Sequence, residues 1–256
     1  MKNKLEFAKQ IVLEVGDYLR LHLHDDLMIS KKTGPTDLVT QMDQQVQNDL
    51  VEKITHRYPE DRIFAEEDGL RSPISEGSVW VIDPIDGTNN FVTQKEDFAV
   101  MVAYFEDGIG QFGLIYDVMR DYLFYGGGEF PVYRNEVELT LFVDQPLENF
   151  LIASNVGMLE KNDWGMADLG MDSLGIRVYG SAGISFSKIL SGGILAYFSY
   201  IWPWDYAAAA IMGERLGYTV LNLNGDKPNY QTVEPIMMVP KVKLTEIQTY
   251  LKKGRS

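Results

Sequence analysis

The sequence predicts an α+β protein of layered helices and sheets, in two fused halves covering 1–145 and 146–256. Three observations lead to that class. Two helix-period stretches stand at the start of the chain with no strand between them. A succession of strand-like segments joined by tight turns follows. Past about residue 145 strands and helices alternate, and no repeat or low-complexity linker interrupts the chain. With 256 residues and 45% apolar types there is enough chain for a sizeable core.

The elements follow in order. Leu5, Ala8, Val12, Val15 and Leu19 recur at three- and four-residue spacing, which predicts an amphipathic helix over about 3–24. "SKKTGPTD" is a polar break centred on Gly-Pro. Val46, Leu50 and Ile54 mark a second helix that ends near "RYPED". "RIFAEEDG" and "VWVID" are strands that run into acids. "FAVMVAYF", "IGQFGLIYDV" and "DYLFYGG" form an antiparallel meander, and Gly126-Gly127-Gly128 reads as a turn. In the second half "FLIASN" is a strand and 160–172 a helix. "IRVYGSAGISFSKIL" is a strand that turns into a helix on small residues. "GILAYFSY" is a strand, "DYAAAAIMGERLG" a helix stopped at Gly217, "YTVLNL" and "PIMMVP" strands, and a charged helix closes the chain.

Bulk properties exclude several functions. A net charge of −14, from 23 basic and 37 acidic residues, argues against a nucleic-acid polymer or an anionic membrane as the main partner. A small anionic substrate stays compatible, because a bound cation reverses the local field. The chain has no cysteine, which removes disulfides, thiolate catalysis and cysteine-held metals. The opening "MKNKLEFAKQIVLEVGDYLR" lacks the pattern of a secretory signal, and no run of 18 apolar residues occurs; the expectation is a soluble, cytoplasmic protein.

The chemistry concentrates in "SVWVIDPIDGTNNF", residues 78–91. An apolar strand ends in Asp83, Pro84 holds the backbone, and Asp86 follows three residues on. If the two carboxylates converge they repel, unless a hard divalent cation sits between them. The carbonyl of the intervening Ile85 is a candidate third ligand. Gly87 and Thr88 open a helix-like stretch whose N–H groups suit an anion, and the Thr88 hydroxyl can hold a water. Alone, Asp-Pro-x-Asp-Gly is a common surface turn. Two further acidic segments shift the balance towards a metal cluster: Glu66 and Glu67 at the end of another strand, and Asp205 at the start of a small-residue helix.

Taken together, "WVIDPIDGTNNF", "FAEED", "PWDYAAA" and "GPTDLVTQMD" resemble the motifs of the inositol monophosphatase family, in the family's order and across the whole chain. The resemblance implies a layered αβαβα sandwich of the inositol monophosphatase and fructose-1,6-bisphosphatase type. It implies a Mg²⁺-dependent phosphomonoesterase, a homodimer, that uses two or three ions and acts on a small phosphorylated substrate. Glu66, Asp83 and the Ile85 carbonyl would hold one ion. Asp83, Asp86 and Asp205 would hold a second, and a third would contact Glu66 through water. The amides of Gly87 and Thr88 would take the phosphate, and Thr88 with Asp43 would activate the attacking water. Gly180, Ser181 and Ala182 would line the substrate side with backbone groups, and Asp86 and Asp205 would also face the substrate. Lys31 and Lys32 read as a solvated pair, the alternative being a swing of one of them toward the phosphate. His22, His24 and His56 are read as solvated helix residues without a role.

One departure bears on the substrate. Family members that act on inositol phosphates carry a glutamate seven residues before the Trp-Asp aspartate. Counting back from Asp205 gives Phe198, which with Tyr200 and Trp202 offers an aromatic surface or packs into the core. The expectation is that inositol phosphate is not the best substrate. Two rivals are weighed. A haloacid-dehalogenase-type phosphatase has Asp-x-Asp-Gly-Thr near its N-terminus, one residue shorter between the aspartates and working through an aspartyl phosphate. A catalytically weak or regulatory binding protein on the same fold is the other.

Overall fold

The computed structural model describes residues 1–25, 28–31 and 38–253. The chain opens with α1 (Lys2–Leu21), a short ribbon of β1 (Ile29–Lys31) against β2 (Leu38–Thr40), and α2 (Gln41–Arg57). A seven-stranded sheet follows, from β3 (Arg62–Ala65), β4 (Ser78–Asp86), then past helix α3 (Thr88–Thr93) β5 (Ala99–Glu106), β6 (Ile109–Asp117), β7 (Tyr122–Gly127), β8 (Phe130–Arg134) and β9 (Val137–Glu138). β3 is parallel to β4, and the other strands form an antiparallel meander. The remainder is β10 (Leu151–Ser154), α4 (Val156–Glu160), α5 (Met166–Asp172), β11 (Gly175–Arg177), α6 (Ala182–Leu190), β12 (Tyr197–Ile201), α7 (Pro203–Arg215), β13 (Tyr218–Asn222), β14 (Glu234–Pro240) and α8 (Leu244–Lys253). Its five strands pair in the order β11-β10-β12-β14-β13, parallel at β11-β10-β12 and antiparallel at β12-β14-β13.

Strand alternation builds the layers. On β4, Trp80 and Ile82 point to one face, where they meet Leu5, Val12, Val46 and Leu50 of α1 and α2. Val79 and Val81 point to the other face, toward α6 and α7, which also receive Tyr197 and Ile201 of β12 and Met238 of β14. The outer face of the second sheet packs Phe198, Met237 and Val239 against Met158, Met166, Leu169, Ile247 and Leu251. The result is helix, sheet, helix, sheet, helix, as the αβαβα expectation has it. Each buried Val, Leu or Ile in these layers contributes about 1.5–3 kcal/mol of transfer free energy.

The middle layer is thin because its residues are small. A Cβ at Gly113 of β6 would stand 2.4 Å from the carbonyl oxygen of Ala208, so only glycine lets α7 lie this close to the sheet. The close approach brings the start of α7 beside β4, where the acids are.

Several sequence readings shift in detail. The first helix ends at Leu21 rather than near 24. The helix expected over 160–172 is two, α4 and α5, separated by left-handed backbone at Asn162, Trp164 and Gly165. Gly126 and Gly127 belong to β7 and not to a turn, and a Cβ on Gly127 would meet the Ile211 carbonyl oxygen of α7 at 2.6 Å.

Candidate active site

A regular strand places residues i and i+3 on opposite faces, so Asp83 and Asp86 would diverge. β4 avoids this with a bulge. Asp83 pairs with Met101 and Asp86 with Ala99, so three residues of β4 span two of β5 across Pro84 and Ile85. The extra residue turns both carboxylates to one side. The strand therefore continues through Asp86, where the sequence reading ended it near Asp83.

Asp205 arrives from the second half. It is the third residue of α7, after Pro203 and Trp204, rather than the cap itself; its Oδ2 accepts the Trp202 amide at 2.7 Å. Asp83, Asp86 and Asp205 offer oxygens that all lie within 4.8 Å of one another. Glu66 follows β3, and its carboxyl hydrogen-bonds with Asp83. Four carboxyls so crowded disfavour their own ionisation. Burial, then the Glu66, Asp86 and Asp205 charges, push the Asp83 carboxyl well above the usual carboxylate range. Burial, then Asp86 and Glu66, do the same to Asp205. Burial raises Asp86 too, although donors at the start of α6 pull it down.

Those donors are specific. Asp86 Oδ2 accepts the Ser181 hydroxyl and the Gly183 amide (2.8 Å), and Oδ1 accepts the Ala182 amide at 3.0 Å. Ser181 also caps α6 by accepting the Ile184 amide. Gly180, Ser181 and Ala182 do line the cavity beside the acids, but the Ala182 amide is spent on Asp86 rather than offered to a substrate. Asp86 Oδ1, with one such bond, keeps a lone pair for a further ligand.

Thr88 and Asp43 meet as the sequence reading expected. Thr88 Oγ1 lies 3.0 Å from Asp43 Oδ1 and 3.1 Å from the Ile85 carbonyl oxygen. It has one proton, which favours the carboxylate, the stronger acceptor. Asp43 is fully buried at the start of α2, and its other oxygen accepts the Thr40 amide and hydroxyl at 2.7 Å each. Gly87 sits at φ +88°, and a Cβ there would press on Ser181, so glycine is needed for the turn from β4 into α3.

Phe198 is a correction. Its side chain is fully buried among Met158, Met237 and Ile247 in the outer layer, and the cavity wall is made by its strand neighbours Tyr197 and Ser199. Period-two alternation is the reason: Tyr197, Ser199 and Ile201 share the inner face. Ser199 Oγ accepts Asn155 Nδ2 at 3.2 Å, and Asn155 and Ser154 also line the cavity, whose volume is about 350 Å³. Alternation counted along "AYFSYI" would have found Ser199; nothing in the sequence pointed to Asn155. The side chains of Lys31 and Lys32 lie outside the described residues.

The donor set suits a hard divalent cation. It is all oxygen, it has several carboxylates, and Asp83 Oδ1 is buried with no hydrogen-bond partner.

Comparison with known proteins agrees with the fold. The model of the inositol monophosphatase family matches residues 1–253, and the chain belongs to that family; it is a phosphoric monoester hydrolase. Among curated relatives, the inositol-1-monophosphatase of Bacillus subtilis is 35% identical over 227 residues, covering 86% of each chain. Among solved structures, SaIMPase-II bound to inositol monophosphate superposes with a TM-score of 0.87 at 28% identity, covering 99% of this chain and 95% of that one. An IMPase/NADP phosphatase complexed with Mg²⁺ and phosphate gives 0.86 at 25% identity, covering 97% and 93%. Among the described residues no helix is long and apolar enough to cross a membrane.

Proposed function

We propose that this chain hydrolyses the monophosphate of an uncharged alcohol by direct attack of water, with Mg²⁺ held by Glu66, Asp83, the Ile85 carbonyl, Asp86 and Asp205. The observation that carries the reading is the convergence of Asp83, Asp86 and Asp205 beside the cavity and the Thr88–Asp43 pair. When bound, Mg²⁺ supplies Lewis acidity at the phosphoryl oxygens and lowers the pKa of a bound water. The protein's own groups do the rest. Asp43 takes the Thr88 proton in its hydrogen bond, which leaves the Thr88 oxygen to accept a proton from the attacking water and orient it. The Thr40 contacts hold Asp43 in that pose. The amides of Gly87 and Thr88 are assigned to the phosphate. Glu66 is assigned a further water.

The alcohol side is read from charge. Apart from the cluster aspartates, the polar groups lining the cavity are neutral: Ser154, Asn155, Tyr179, Ser181, Tyr197 and Ser199. Among the described lining residues there is no lysine, arginine or histidine. A second phosphate would enter a strongly acidic protein and meet no cation among the described lining residues. Of four candidates, this favours the monophosphate, inositol phosphate, over fructose 1,6-bisphosphate, the 2′-phosphate of NADP and 3′-phosphoadenosine nucleotides. Among the described lining residues there is no carboxylate outside the cluster to clasp inositol hydroxyls, so inositol phosphate is expected to rank below other neutral monophosphates. The test is phosphate release from a panel of phosphomonoesters at fixed Mg²⁺. A higher kcat/KM for any of those multiply charged compounds than for the neutral monophosphates would overturn the assignment.

The homodimer belongs to the same proposal. Val156, Met171, Leu174 and Val178 are exposed, and Val156 and Val178 also line the cavity. Sedimentation at micromolar concentration should show two chains; a single chain would refute this part alone.

A further inference from the structure

The metal reading leaves one question of construction. Asp83 and Asp86 ride on the same strand, and α6 grips Asp86. Glu66 and Asp205 come from separate segments, and something has to set their distance. Glu66 begins a tight loop after β3 that passes through left-handed backbone at Asp68 and Gly69 and returns at Arg71, which bridges back to Phe64. Asp205 stands in the first turn of α7, directly after Trp204.

Arg71 touches both. Its Nη1 donates to the carbonyl oxygens of Ala65 and Leu70 (3.1 Å to the latter), and its Nη2 to that of Glu66 at 3.3 Å. The loop is thus tied by one guanidinium. The same group lies 4.6 Å from the centre of the Trp204 ring and 5.7 Å from that of Phe64. Trp204 is only 4% exposed, stacks on Trp202 at 4.8 Å with 9° between planes, and meets Phe64 edge-on at 5.7 Å. The cation therefore covers the residue preceding Asp205 while holding the backbone of Glu66.

We propose that Arg71 is a positioning residue that locks the Glu66 loop against the start of α7 and so sets the geometry of the metal site. The inference rests on the metal reading of the preceding subsection. It depends on the planar fork as well as the charge. A guanidinium can bond three carbonyls in its plane and present its face to an indole, and an ammonium cannot do both. Groups of this kind, which hold ligands without touching the ion, typically change metal affinity by about 10- to 100-fold when removed.

The test is calorimetric Mg²⁺ titration of the metal-free full-length protein, with melting in chelator run in parallel, for the wild type, Arg71→Lys and Arg71→Met. The expected result is a Kd for Mg²⁺ raised about tenfold or more in both variants, with Lys recovering little despite its charge. The melting temperature in chelator should change far less than the affinity. Unchanged Kd in Arg71→Lys, whatever its melting temperature, would overturn the proposal, as would full rescue by lysine. If Arg71→Met fails to fold, Arg71→Lys alone decides. Failure of the wild type itself to bind Mg²⁺ would sink the metal reading and this inference with it; normal wild-type binding with unaffected variants would sink only this one.

Discussion

Asp83→Asn is the substitution that separates stability from function at this site. In the metal-free protein Asp83 is buried with an unpartnered Oδ1 and faces Glu66, Asp86 and Asp205. Two unit charges no more than 4.8 Å apart repel by at least about 3.5 kcal/mol at an effective dielectric of about 20. The raised carboxyls relieve part of that by sharing protons, so about 1–3 kcal/mol is the expected gain from removing one charge. The new amide also donates toward the remaining carboxylates. For a chain of this size that corresponds to about 3–10 °C in melting temperature. With chelator present, the variant should melt above the wild type. With saturating Mg²⁺ the order should reverse, because ligand binding stabilises the wild type by about 4.1 kcal/mol at about a thousandfold excess over Kd, more than the variant's advantage. Turnover should fall by at least about a thousandfold. A variant that melts below the wild type in chelator, or gains as much from Mg²⁺, would refute the reasoning.

The pH dependence follows with a definite sign. Asp83 and Asp205 have folded-state pKa values raised above their unfolded ones, so they add stability below the unfolded value of about 4, and that stability is lost as pH rises through the folded values. In chelator the advantage of Asp83→Asn over wild type should therefore grow from pH 4 upward, while Mg²⁺ affinity of the wild type rises with pH; a flat difference would contradict this. Asp86→Asn should behave differently from Asp83→Asn, because its amide must face the Ser181, Ala182 and Gly183 donors; loss of about 1–3 kcal/mol in melting experiments is expected along with activity. Thr88→Ala should lower kcat by about 10²–10⁴ with Mg²⁺ affinity unchanged by titration. Phe198→Ala should cost about 3–5 kcal/mol of stability by denaturant unfolding and leave the substrate ranking as it was. Hydrolysis of a substrate made chiral at phosphorus should invert configuration there, as one in-line displacement by water does; retention would favour the haloacid-dehalogenase-type route through an aspartyl phosphate.

Much of this site is legible in the chain because acids at strand and helix ends are a local signal. Asp83, Asp86, Glu66 and Asp205 each follow or precede an apolar run, and the four motifs stand in order. What the sequence does not carry is how they converge. The bulge at Pro84–Ile85 needs a pairing register with β5, and the grip of Ser181, Ala182 and Gly183 on Asp86 joins residues nearly a hundred positions apart. Phe198 shows a different limit. Counting back from Asp205 assumes constant spacing, whereas the face of a strand is set by alternation from its neighbours, and that rule puts Ser199 and Tyr197 toward the cavity. Arg71 had no motif at all; its meaning appears only when Trp204 lies under it.

The central claim is that the carboxylate cluster works as a divalent-metal site for phosphomonoester hydrolysis. The most direct test is phosphate release by the wild-type protein from a neutral monophosphate, first in chelator and then as Mg²⁺ is added back. The account expects no release in chelator and saturable recovery with Mg²⁺, absent in Asp83→Asn. Release that proceeds undiminished in chelator, or that Asp83→Asn supports as well as the wild type, would contradict it.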